Sequence, residues 1–83
     1  MKKFYAGKSY MGTNYTYESE CWSAYAFGSK AERDEWVEKN EWDQNTSQYV
    51  AEAVTRTVAY KIAGIDSKYK TPVVEENRLS YKY

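Results

Sequence analysis

The chain has 83 residues, with 12 basic and 12 acidic side chains, one cysteine and no histidine. That length is one domain. Without histidine, the Ser-His-Asp and Cys-His nucleophilic systems are excluded in their usual form, as is the commonest metal ligand. A lone cysteine excludes an intrachain disulfide and a C-x-x-C metal knuckle, and fits a reducing cytoplasm.

A domain this small buries a modest share of its surface. Three Trp, ten Tyr and two Phe offer compensation, because aromatic rings pack a large area per residue; self-association is the other route. No run is long and apolar enough for a membrane span. The start, MKKFYAGKSYMG, lacks the apolar core of a signal peptide. Charge is zero in total but segmental. Residues 1–17 carry three bases and no acid, residues 18–54 nine acids against three bases, and residues 55–83 six bases against three acids.

Lys3–Tyr10 is short, aromatic and weakly alternating, which predicts a strand. Met11–Asn14 reads as a turn. From Tyr15 to Phe27 the period is two. Tyr15, Tyr17, Ser19, Cys21, Ser23, Tyr25 and Phe27 share one face; Thr16, Glu18, Glu20, Trp22, Ala24 and Ala26 share the other. Both faces are apolar near Trp22 and Ala24, so the second half of this strand is expected to be the more central. The two strands should pair as an antiparallel hairpin.

Ser29 is a candidate N-cap with Glu32 three residues on, a capping box. A helix follows over Lys30–Lys39. Its first-turn acids suit the helix dipole, and Glu35 and Lys39 form an i,i+4 pair. Trp36, Val37 or both should bury against the hairpin. Residues 40–47 read as a loop in which Trp42 is either a lid on the core or an exposed anchor.

Val50, Val54, Val58 and Ile62 recur every four residues, which fits one long helix. The competing reading is a strand over Tyr49–Val54, then Thr55 capping a helix Arg56–Ala63 that ends at Gly64. Clustered β-branched residues and the need for a third strand beside the hairpin favour the split. Asp66–Thr71 reads as loop, and Pro72 ends or redirects what precedes it. Residues 66–83 form a loosely attached basic aromatic tail or an edge strand. The expected fold is α+β: a small antiparallel sheet of about three strands packed against one or two helices.

The pieces Ser29, Ala31, Glu32, Arg33, Trp36, Val37 and Val54, Thr55, Arg56, Ala59, Tyr60, Lys61, Ile62 follow an aromatic strand. In that order they resemble small accessory proteins of bacteriophages and mobile elements, of the anti-CRISPR type. The resemblance implies a non-enzymatic inhibitor that binds a host protein or ribonucleoprotein complex in the host cytoplasm. It carries over no active-site residue.

The residues themselves offer little chemistry. No P-loop or dinucleotide fingerprint is present. Glu18 and Glu20 share a strand face, but solvated acids are the simpler reading. Cys21 lies between Glu20 and Trp22 and lacks the electropositive setting of a nucleophile, so it reads as a small core residue. No catalytic residue, metal or cofactor is expected. Protein binding is the leading class, because Tyr and Trp are favoured interface anchors. Tyr15, Tyr17 and Trp42 are candidate anchors, with Tyr5 and Tyr10. Glu32, Asp34, Glu35, Glu38, Glu41 and Asp43 supply charge for a basic surface. A homodimer or structural assembly is the first alternative. Direct nucleic-acid binding is the second, through Lys61, Lys68, Lys70, Arg78 and Lys82 interleaved with Tyr60, Tyr69, Tyr81 and Tyr83, joined by the N-terminal lysines.

Overall fold

The computed structural model describes residues 3–9, 21–41 and 50–83. The elements are β1 (Phe4–Ser9), β2 (Trp22–Phe27), α1 (Lys30–Asn40), β3 (Val50–Val54), α2 (Arg56–Ala63), β4 (Thr71–Glu75) and β5 (Arg78–Lys82). The strands form one sheet in the order β3-β1-β2-β5-β4, and every neighbouring pair is antiparallel. The fold is α+β with five strands rather than about three.

The two additional strands come from residues 66–83. They form the β4–β5 hairpin, and β5 is internal to the sheet. The hairpin is hard to see in sequence because its turn, Glu76-Asn77, contains no glycine. Both residues nonetheless have positive φ, 49° and 69°, as a type I′ hairpin turn requires at its two central positions. Pro72 does not end an element. It lies within β4, an edge strand, where a missing N–H is tolerated.

The split of residues 50–64 into strand and helix is observed. Thr55 Oγ1 accepts from the Val58 N–H at 3.2 Å, and Gly64 closes α2 with φ 83°. α1 starts as its sequence predicts, with Ser29 Oγ accepting from the Glu32 N–H at 3.1 Å. The second half of the strand read over residues 15–27 is observed as β2, which lies between β1 and β5; residues 15–20 lie outside the described residues.

Alternation along β1 assigns the two faces. Gly7 faces Trp22 and Ile62 of α2. Its neighbour Lys8 reaches α1, where Nζ donates to Asn40 Oδ1 at 3.0 Å. The helices therefore cover opposite faces of the sheet. On the α2 side Trp22, Ala24, Ala59, Ile62 and Leu79 form the buried core, with Tyr5, Cys21, Val54, Val58 and Tyr60 packed around it. On the α1 side the Trp36 ring packs on Tyr25, with centroids 4.4 Å apart, and on Phe27 at 5.6 Å. Trp36 and Val37 are only half-buried, and α1 has no fully buried residue. One inward stripe therefore holds the helix, and its other side chains are exposed.

Candidate functional site

Glu32, Asp34, Glu35 and Glu38 lie on α1 and Glu41 follows it directly, all exposed. Three have local partners. Ser29 Oγ donates to Glu32 Oε1 at 3.4 Å, Arg33 pairs with Asp34 at 2.7 Å, and Lys39 pairs with Glu35 at 2.8 Å. The hydrogen bond and charge of Lys39 hold the Glu35 carboxyl below its ordinary range. Glu41 caps the helix C-terminus, where its backbone N–H donates to the Val37 carbonyl. Tyr15, Tyr17, Trp42 and Asp43 lie outside the described residues, as do Tyr10, Glu18 and Glu20.

The other candidate is a cleft of about 720 Å³ at the start of β1. Its cationic side is Lys3, Arg33 and Arg56; Phe4, Tyr5 and Tyr60 supply aromatic surface; Pro72, Val74 and Leu79 supply the apolar side. No carboxylate is among the described residues lining it.

The two sequence motifs deliver its arginines from opposite faces of the sheet. The capped start of α1 places Arg33 near the first strand. Its Nη1 donates to the Tyr5 carbonyl at 3.3 Å, its guanidinium lies 5.9 Å from the Phe4 ring centroid, and its side chain is 12% exposed. The capped start of α2 places Arg56 over the Tyr60 ring at 4.8 Å, with Nη2 donating to the Tyr60 hydroxyl at 3.4 Å. That hydrogen bond raises the Arg56 pKa further, so the cation is permanent. Tyr5, expected as an exposed anchor, is half-buried. It meets Tyr60 edge-on, with centroids 6.2 Å apart. Burial, and then the neighbouring Tyr60, push the Tyr5 phenol above its ordinary pKa.

A second hollow shares Arg56, Tyr60 and Pro72 with the cleft and continues to Lys68 and Lys70. Lys70 is anchored there. It donates to the Gly64 carbonyl at 3.0 Å, pairs with Asp66 at 3.0 Å, and sits 4.6 Å from the Tyr81 ring centroid. Tyr69 is 72% exposed beside it.

The basic aromatic grouping read from sequence is thus divided. Lys68 and Lys70 join the hollow, and Lys3 joins the cleft. Arg78 pairs opposite Tyr25 on the α1 face, with its guanidinium 5.9 Å from that ring. Lys82 shares the face of Arg78 by alternation along β5. Sequence reasoning did not single out Arg33 and Arg56 as a pair of ligand-facing groups. One signal was available for Arg56. It is the first residue of α2, whose first turn has no acid, although a helix N-terminus favours negative charge.

Among the described residues, no group of three or more His, Cys, Asp or Glu side chains is placed to hold a metal ion, and no helix is long and apolar enough to cross a membrane. Comparison with protein-family models, curated proteins and solved structures gave no match.

Proposed function

We propose that the chain is a non-catalytic binding protein that blocks a host protein or ribonucleoprotein complex by occupying one of its basic surfaces. The observation that carries this reading is the division of α1. Arg33, Trp36, Val37 and Asn40 contact or face the sheet, while Asp34, Glu38 and Glu41 stand exposed at i, i+4 and i+7. This spacing makes a flank of negative charge about 10 Å long, exposed at all three side chains. Such a ridge suits a surface that would otherwise bind phosphates, and it steers encounter more than it sets affinity. Steric occlusion follows from docking and needs no reaction.

The test is capture of partners from a bacterial lysate after nuclease treatment, using the wild-type chain and a Glu38→Lys/Glu41→Lys variant. The expected result is a stoichiometric partner held by the wild type and lost by the variant. Equal retention by both would overturn the role of the ridge. No partner, together with a native mass above the monomer, would replace the reading with self-assembly.

A further inference from the structure

We infer that the cleft at the start of β1 holds a single strand of nucleic acid, with phosphates against Lys3 and Arg56 and an unpaired base against Pro72 and Val74. This inference does not depend on the α1 ridge and concerns a different surface.

Three features of the cleft select this occupant. The first is charge: Lys3, Arg33 and Arg56 line it with no described carboxylate. Asp34 already offsets Arg33, but Lys3 and Arg56 make no ion pair among the described residues, so an anion is favoured over a cation or a neutral body. The second is the apolar wall. A bare phosphate or a string of acidic side chains gains nothing from Pro72, Val74 and the Tyr60 ring, whereas a nucleobase brings a flat apolar face to them. A duplex keeps its bases stacked inside and reaches such a wall only by flipping one out, at a cost of a few kcal/mol. The third is length. The hollow that shares Arg56, Tyr60 and Pro72 leads on to Lys68 and to Lys70, the latter offset by Asp66 in the same lining, with the exposed Tyr69 ring between the two lysines in sequence. A further cation with no ion pair among the described residues, Lys68, and a further ring therefore lie outside the cleft itself, as a strand can use and a free nucleotide cannot. Arg56 at the N-terminus of α2 is consistent with this arrangement: a bound phosphate would neutralise both the guanidinium and the positive end of the helix dipole.

The test is fluorescence anisotropy of a labelled oligothymidylate about 12 nucleotides long, titrated with the full chain. Lys3, Arg56 and Lys68 make no ion pair among the described residues. Three phosphates neutralised by them give a slope of log affinity against log salt of about −2, a roughly 20-fold loss between about 50 and 200 mM salt. Arg56→Glu is expected to weaken binding at least tenfold. It puts an acid at the first helical position, where the dipole favours it, so unfolding would not explain the loss. A thermal melt of the variant checks this directly. Val74→Glu should weaken binding too, and Glu38→Lys/Glu41→Lys should not. Backbone amide shifts should centre on Tyr5, Arg56 and Val74. Unchanged affinity in folded Arg56→Glu would overturn the inference. So would tighter binding of a duplex of equal length, equal affinity for free thymidine monophosphate, or equal affinity for a polyglutamate peptide. The lysate result with the α1 variant bears on none of these outcomes, so either reading can fail alone.

Discussion

Gly7 and the Trp22 indole are in such close contact that a β-carbon on the glycine would stand 3.1 Å from Cε3 of the ring and 3.2 Å from Cδ1 of Ile62. Both neighbours belong to the buried core, so neither can swing aside into solvent. Gly7→Ala is expected to lower stability by about 1 kcal/mol, because overpacking outweighs the relief of glycine's entropy in a strand. Gly7→Leu should cost about 3 kcal/mol or prevent folding. Urea unfolding followed by tryptophan fluorescence measures both.

Gly64 presents a different problem. A β-carbon there would meet only Tyr81, at an ordinary 3.5 Å, but the backbone is left-handed at φ 83°. Gly64→Ala is therefore expected to cost about 1–2 kcal/mol from conformation alone. Gly64→Asn should recover part of that loss, since asparagine tolerates this region. The pair of variants, compared by thermal melting, separates backbone strain from crowding.

The two caps should behave alike despite lying on opposite faces. Ser29→Ala and Thr55→Ala each remove a side-chain acceptor for a first-turn N–H, at about 1 kcal/mol apiece. They share no partner in the structure, so their effects should add in the double variant. A double-variant loss well away from the sum would show that the helices are coupled through the sheet.

Trp36 carries most of the aromatic contact of α1, through Tyr25 and Phe27. Trp36→Ala is expected to destabilise by about 2 kcal/mol, less than a fully buried ring would cost. Amide exchange should rise first over Lys30–Asn40 and leave α2 protected.

Tyr5 gives a pH dependence at the alkaline end. Its phenol is pushed above the ordinary value by burial, with a further contribution from Tyr60. The folded state therefore releases the proton less readily than the unfolded chain. Stability from this group is complete below about pH 10, the unfolded phenol's pKa, and is lost as pH rises through the higher folded value. Tyr5→Phe should flatten this part of the curve, and denaturant midpoints across that range would show whether it does.

Much of the fold was legible because local signals agreed. Ser29 with Glu32, and Thr55 with Gly64, marked the ends of the helices in advance. The four-residue recurrence of Val50, Val54, Val58 and Ile62 was ambiguous for a physical reason: a spacing of four satisfies both the two-residue period of a strand and, nearly, the helical one. Val50 and Val54 share a strand face, and Val58 and Ile62 a helix face, on either side of a cap. The β4–β5 hairpin was not legible, since Glu76-Asn77 lacks the glycine that usually advertises such a turn and β4 is exposed on both faces apart from Val73. The cleft was less legible still. Arg33 and Arg56 are brought together only by the wrapping of two helices around the same end of one sheet, which neither motif encodes alone.

The internal position of β5 sets the pace at which all this is built. Its attachment to β2 relies on Asn77, whose backbone carbonyl accepts from the Ala26 N–H at 2.8 Å and whose side-chain amide donates to the Ala26 carbonyl at 3.0 Å, across 51 residues of sequence. The β1–β3 ladder likewise joins residues far apart in the chain. Contacts of such range are entropically late, so the chain should fold on the slower side for its size, in milliseconds to seconds rather than microseconds. The β4–β5 hairpin can close locally, but its Pro72–Val74 wall stands opposite Arg56 only after the last long-range docking. A partly assembled chain therefore has both arginines and no cleft.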